Sequence, residues 1–460
     1  MTKKQLRLGL AAYGTGWDNE AWRLPESVDV GLSDPSVILD IARIAERGKF
    51  DYIFAGSAIA SEPNRWGRIY RWDSAVFGGY AAAQTKNVGF LLTYNTSFEH
   101  PYFVARQLAT LDNFSGGRVA FNAVTGIDRA ADTGGPTANF ENWPLPDDDS
   151  KYTRVVEFTE VLNQLLYSWD ADYLLDDKAG GQLVRPGSYH PIDYRGEHFV
   201  VQGPLNVARP IQNTIPNVHV GTSERSVSYG AEFAHARFAP YLGHDRARQE
   251  YKDHKARIAA SGRDPEKFKI LPGITFYIGG TAREAREKFR QVQAFTQAVD
   301  APARIGAAFG VDLSEVKPTE KFFNVIDIEK VGFDTLKAIL PEGAGRRREG
   351  TPRPGDDDRQ WLQDVVVGNL GEDVTLEDVY QFVVRHRSGQ GKLVGDAKHF
   401  ADFLEQGLEE EAFDGVQFFP PYHRGPADLL VDLVVPELQR RGIFRKEYEG
   451  STLEQNLGIA

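Results

Sequence analysis

The chain has 460 residues, is 41% hydrophobic and 26% charged, and carries a formal net charge of -12 with no cysteine. Without cysteine there are no disulfides, no thiolate catalysis and no cysteine-bound metal. An acidic chain without a Lys/Arg-rich stripe excludes nucleic acid as the expected partner, and no apolar run reaches the roughly 18 residues that suggest a membrane span.

The start, "MTKKQLRLGLAAYG", has no sustained apolar core or cleavage pattern, so the cytoplasm is the expected location. From there, strand-like runs alternate with helix-like ones. "RLGLAAY" begins at Arg7. "SVILDIARIAERGKF" follows, with Val37, Ile38, Ile41, Ile44 and Ala45 at helical spacing and Gly48 as a stop. Further strands are expected in "FDYIFAG" (Phe50), "NVGFLLTYN" (Asn87), "RVAFNAVT" (Arg118), "NVHVGTS" (Asn217), "ARFAPYL" (Ala236), "KILPGITFYIG" (Lys269) and "DGVQFFPP" (Asp414). Several are near-continuous apolar runs, as expected of parallel strands buried on both faces. Val155, Phe158, Leu162, Leu165 and Leu166 form a helical stripe after the fourth strand, and Thr281 caps another helix with Ala285, Phe289 and Val292 on one face.

Eight strands interleaved with helices predict an α/β fold, a (β/α)8 barrel, read as one domain over 1–460. A doubly wound sheet is disfavoured by the lack of G-x-G-x-x-G after an early strand. Two stretches break the rhythm. Tyr173 to Pro210 is Gly/Pro-rich and is expected to be a surface excursion with a hairpin. Ala301 to Gly395 is expected to be a long insertion on the C-terminal face, where barrel chemistry sits.

The expected strand ends carry Tyr13 and Trp17; Phe54, Gly56 and Ser57; Thr93, Asn95 and Thr96; Asn122, Thr125 and Gly126; and Gly221, Thr222 and Ser223. This set is small, neutral and aromatic, which suits a planar hydrogen-bonding ligand. No H-x-H or H-E-x-x-H occurs, and His190, Asp193 and His198 form the nearest approach to a metal set, in a loop. No metal is expected. Asp73, Glu99 and Asp128 lie near strand ends, but nothing singles out a catalytic pair.

Long segments of the chain resemble the nitrilotriacetate monooxygenase component A and dibenzothiophene-sulfone monooxygenase family of luciferase-like flavin monooxygenases. They are "AERGKFDYIF", "HPYFVARQLATLDNFSGGRVAFNAVTG", "YTRVVEFTEVLNQLLYSWD", "HPIDYRGEHFVVQGPLNVARP" and "VVPELQRRGIFRKEYEGSTLEQNLG", in that order. The resemblance implies a luciferase-like barrel. It also implies reduced FMN (FMNH2) supplied by a separate NAD(P)H:flavin reductase, with O2 and a small organic substrate, and a homodimer or homotetramer. It assigns Asn122, Thr125 and Gly126 to the flavin, where Gly126 replaces a family serine. It places Tyr152 near the flavin phosphate, and gives Gly221, Thr222 and Ser223 as a phosphate-holding turn that needs no positive charge. Ser57, Thr93 and Asn95 complete the cofactor set. Trp17, with Tyr13, Phe54, Tyr94 and Phe98, is the expected substrate pocket; the catalytic residues stay open.

Several polar family positions differ. A family His near "AWR" is replaced within Trp17–Glu20, an Asp ending the second strand is Ser57, another His falls near Asp148 or Asp149, and "EP" aligns near Arg71 and Trp72. These changes favour an apolar substrate. They also leave open a non-catalytic flavin-binding barrel and a deazaflavin-dependent oxidoreductase.

Overall fold

The computed structural model describes residues 4–18, 20–27, 34–57, 72–125, 148–221, 223–241, 243–295, 301–330, 359, 362–386 and 391–460. Strands β1 (Arg7–Ala11), β2 (Tyr52–Ala55), β3 (Gly89–Asn95) and β4 (Val119–Val124) follow one another around a closed sheet. Four short strands intervene, β5 (Leu174–Asp177), β6 (Gln182–Val184), β7 (Tyr194–Arg195) and β8 (Val200–Val201). The sheet resumes with β9 (Asn217–Val220), β10 (Ala236–Ala239) and β11 (Lys269–Ile278), then β12 (Gly391–Gly395) and β13 (Gly415–Phe419). β10 pairs with β11, β11 with β13 and β13 with β1, so eight parallel strands close a barrel.

β12 is a ninth strand outside the closed ring. It pairs with Ile274–Ile278, the far half of the ten-residue β11, beyond the part held by β10. The expected surface excursion contains two antiparallel hairpins, β5–β6 and β7–β8, where one was expected.

Alternation sorts the side chains. Leu8, Leu10, Ile53, Phe90, Leu92, Phe121, Val416 and Phe418 point outward into the core under the helices. Ala11, Tyr52, Phe54, Leu91, Ala120, Val218, Ala236, Phe238, Leu271 and Phe419 fill the interior. Gly9 must be glycine, because a Cβ there would lie 2.3 Å from Gln417 Oε1 and 2.5 Å from Tyr52 Cζ.

Helices α1 (Ser36–Arg47), α2 (Ser74–Ala82), α3 (Pro101–Ser115), α4 (Asp148–Leu166), α5 (Glu224–Phe233), α6 (His244–Ala260) and α7 (Ala282–Gln293) lie between the strands. α1 buries Val37, Ile38, Ile41, Ala42 and Ala45 on one face. α3 starts with His100 as N-cap and Pro101 in its first turn, and it stops at Gly116 in the left-handed region at φ 74. α7 opens on a complete capping box of Thr281 and Glu284.

In the long insertion, α8 (Ala301–Phe309) and α9 (Leu376–His386) form a second core that shares Tyr277, Val394 and Tyr422 with the barrel end. α10 (Ala397–Glu409) then leads to β13. The opposite, N-terminal end of the barrel is closed by the chain terminus, whose Leu453, Leu457 and Ile459 join the interior cluster. Among the described residues no helix is long and apolar enough to cross a membrane.

Candidate active site

The C-terminal mouth of the barrel has two unlike halves. On one side the ends of β1, β2 and β13, with β10, supply rings. Trp17 lies 4.4 Å from Phe419 and 5.1 Å from Tyr13 between ring centroids, and Phe54 lies 5.0 Å from Phe238. The loop carrying Trp17 is held by backbone bonds from Trp17 N–H to the Pro420 carbonyl and from Asp18 N–H to the Pro421 carbonyl. Asp18 is buried and accepts the Tyr277 hydroxyl at 2.6 Å, which ties that loop to the insertion core. The Tyr13 hydroxyl sits so close over Gly56 that a Cβ would lie 2.3 Å from it. Ser57, next in the chain, is half-buried.

The other half, at β3, β4 and β9, is polar and more open. Thr93 and Asn122 are register partners on the inward face, and Asn122 Nδ2 donates to Thr93 Oγ1 at 3.2 Å. Asn122 is 2% exposed, yet its Oδ1 accepts nothing. Asn95 continues the inward face of β3, and its Oδ1 accepts the Ser97 N–H. Val220, inward on β9, is 44% exposed, so the rings opposite do not fill this side of the mouth. Thr125 is half-buried, and its carbonyl accepts the Ser97 hydroxyl at 2.6 Å.

Further out, two residues separated by 71 positions meet, with Tyr152 Oη 3.4 Å from Ser223 Oγ. Ser223 is the N-cap of α5, accepting the Ser226 N–H. Gly221 just before it has φ 144, and a Cβ there would meet Ser226 Oγ at 2.2 Å. His219 braces this turn. Its Nδ1 donates to the Ala123 carbonyl at 3.0 Å, which leaves Nε2 to accept the Ser226 hydroxyl at 2.8 Å. Burial pushes the imidazole down to about 4, so it is neutral in this role.

Two of the expected pocket residues stand apart. Tyr94 alternates with Thr93 and Asn95, so it points outward into the helix-layer core; burial holds its hydroxyl well above the usual range, with Glu99 and Asp73 adding to the shift. This places Tyr94 outside the ring cluster. Phe98 is half-buried in the turn after β3, where its N–H donates to the Asn95 carbonyl. Gly126, Thr222, Asp128, Arg71 and the side chains of Asp148 and Asp149 lie outside the described residues.

The expectation of a neutral mouth needs two corrections. Glu99 accepts the Asn95 N–H at 2.6 Å, and burial, with Asp73 adding, raises its carboxyl to about 7. Arg237, 4% exposed on the outward face of β10, donates to the Gly221 carbonyl. A lone arginine inside the apolar run "ARFAPYL" was the available signal, since buried strands rarely carry one without a partner. The His190, Asp193 and His198 grouping, the nearest approach to a metal set in the sequence, does not come together around one point. His190 pairs with Asp170 at 2.9 Å, while His198 lies with Glu157 and Glu197. There both Glu157 oxygens accept backbone N–H groups and His198 bonds Thr153, so hydrogen bonds already account for the cluster.

A flavin fits the polar half. Asn122 Oδ1 is an orphaned buried acceptor suited to a ring N–H, and the Tyr152 and Ser223 hydroxyls meet at a helix N-terminus suited to a phosphate.

Residues 15–336 match the family model for luciferase-like monooxygenase. The chain is 32% identical over 473 residues to nitrilotriacetate monooxygenase component A from Aminobacter aminovorans, covering 99% of this chain and 97% of that protein. It is 30% identical over 454 residues to dibenzothiophene-sulfone monooxygenase from Rhodococcus erythropolis, covering 95% and 93%. The solved structure of EDTA monooxygenase from Chelativorans sp. BNC1 superposes with TM-score 0.77 at 25% identity, covering 99% of each chain. The chain belongs to the luciferase-like monooxygenase family, and it is an oxygenating, flavin-dependent enzyme.

Proposed function

We propose that the protein is the oxygenase component of a two-component system. It takes reduced FMN from a separate NAD(P)H:flavin reductase and uses O2 to oxygenate a small apolar substrate, an aromatic or organosulfur compound. The observation that carries this reading is the division of the mouth: a polar half with an unmet acceptor at Asn122, facing a half built from Tyr13, Trp17, Phe54 and Phe419.

Bound reduced FMN supplies the reactivity toward O2 that no side chain here has. The protein's own part is placement. Thr93 fixes the Asn122 amide, which leaves Oδ1 to accept a ring N–H. The Tyr152 and Ser223 hydroxyls take the phosphate at the start of α5, with the helix dipole in support. The rings keep water from the reacting face and offer the substrate flat apolar area. Glu99 at the rim changes protonation near neutrality, so it is able to hold or release a proton there.

Relatives span very different substrates by name, from nitrilotriacetate to dibenzothiophene sulfone. The rings of Tyr13, Trp17, Phe54 and Phe419 offer no cation to a polycarboxylate, which supports the apolar class. The test is turnover with FMN, a flavin reductase, NADH and 18O2 against both classes. Incorporation of 18O into an aromatic thioether or sulfone, with none into aminopolycarboxylate products, is expected. Oxygenation of the polycarboxylate alone sinks the substrate class; no labelled product from any compound sinks the oxygenase reading.

A further inference from the structure

We propose that Arg237 is a positioning residue that tunes the turn at the start of α5 for a phosphate monoester, so that the protein selects FMN over riboflavin. This rests on the flavin reading above and deepens it.

The observation is an electrostatic mismatch. Arg237 is buried and donates to the Gly221 carbonyl, while its Nε has no hydrogen-bond partner. Among the described residues no carboxylate forms an ion pair with it. Glu250 is near enough to favour its charge, but Glu250 itself pairs with Arg246 at 3.0 Å. Glu224, in the first turn of α5, is likewise engaged, by Arg257. α5 begins three residues after Gly221, with its free N–H groups and the positive end of its dipole at that point. His254 nearby is depressed to about 3 by burial and then by Arg237 and Arg257. Burial also pulls Arg237 itself down to about 10. A buried cation beside a helix N-terminus is unfavourable by itself, and a bound dianion reverses the sign of both terms.

The geometry gives the route. Arg237 lies on the outward face of β10, behind the turn, and reaches the site through Gly221. A carbonyl held toward the guanidinium is held away from an incoming anion, which removes its repulsion. The charge then acts at short range through a poorly solvated wall, where Coulomb terms exceed those in water. Tyr152, which meets Ser223 at the turn, is close enough for Arg237 to feel its hydroxyl electrostatically. Riboflavin has the same ring system without the phosphate, so it separates this role from a purely structural one.

The experiment measures dissociation constants of reduced FMN and reduced riboflavin under anaerobic conditions, by quenching of tryptophan fluorescence, for wild type, R237Q and R237K. Wild type is expected to prefer FMN at least about tenfold. R237Q, which keeps a donor for Gly221 but no charge, is expected to lose most of that preference while riboflavin affinity changes less than about twofold. R237K is expected to retain most of the preference and so serves as the charge-conserving rescue. The proposal is overturned if R237Q keeps the wild-type ratio, or if it weakens both flavins equally. It is also overturned if R237K falls as far as R237Q. A wild type that binds neither flavin removes the site itself, which is a different failure from a wild type that prefers FMN without needing Arg237.

Discussion

The two ends of the barrel carry different kinds of buried polar group. At the N-terminal end three carboxylates are saturated. Asp51 accepts the Leu8 N–H at 2.7 Å and pairs with Arg445 at 2.5 Å. Asp112 accepts from Ile211 N, Gln212 N and Gln212 Nε2. Glu454 accepts the N–H groups of Asn213 and Thr214. The C-terminal end leaves Asn122 Oδ1, Arg237 Nε and His423 Nε2 buried without hydrogen-bond partners. Satisfied groups lock a terminus into place. Unmet ones lower stability; Arg445 Nη1 and Asn217 Oδ1 at the N-terminal end also lack a partner, but only those at the open mouth are where a ligand can meet them. The contrast places stability at one end and chemistry at the other, as barrel architecture leads one to expect.

The comparison breaks most sharply at Asp51. Asp51→Ala leaves Arg445 charged and buried and orphans the Leu8 N–H, and it is expected to cost about 3–5 kcal/mol in urea unfolding. Flavin affinity of the folded fraction is expected to stay unchanged; a loss below about 1 kcal/mol would show that the pair does not lock this end. At the mouth, Glu99 gives a pH-dependent effect. Burial raises its carboxyl to about 7 in the fold against an ordinary value of 4.5, so the native state holds a proton that the unfolded chain releases between those values. Stability therefore falls as pH rises through that window. Glu99→Gln is expected to match wild type at pH 4 and to exceed it by roughly 2 kcal/mol at pH 8. Equal stabilities at pH 8 would mean that the carboxylate is not penalised there.

Asn122→Leu sharpens the functional side. It removes the orphaned acceptor and fills the space beside Thr93. FMN affinity is expected to fall about tenfold or more, close to 1.4 kcal/mol, with thermal stability little changed. Unchanged affinity would take Asn122 out of the site. The smallest effect belongs to the surface. Lys398→Ala breaks the exposed i,i+4 pair with Asp402 and is expected to change stability by less than about 0.5 kcal/mol. A larger loss would mean that the helix layer depends on exposed ion pairs.

The eight barrel strands were legible because each is a short apolar run bounded by turn residues. β12 was not, because "GKLVG" is five residues with two glycines and a lysine, and only its pairing to the long β11 makes it a strand. The candidate site was partly legible. Asn122 and Thr93 stand out as small polar residues at apolar strand ends, and their register brings them together. Tyr94 was misplaced because its neighbours on both sides point inward, which by alternation turns it outward. Tyr152 and Ser223 each carried a signal, but their meeting is set by how α4 packs on α5, which one sequence does not encode locally. Arg237 stood in plain view in an apolar strand, but its target, a backbone carbonyl sixteen residues earlier, has no side-chain signature.

The most direct test of the central claim is a crystal structure of the protein soaked with FMN. The account predicts the phosphate within hydrogen-bond distance of Tyr152 Oη and Ser223 Oγ, with the ring system against Asn122 and the Tyr13–Trp17–Phe419 rings across from it. Flavin density elsewhere on the chain, or a phosphate that leaves both hydroxyls unengaged, would contradict it.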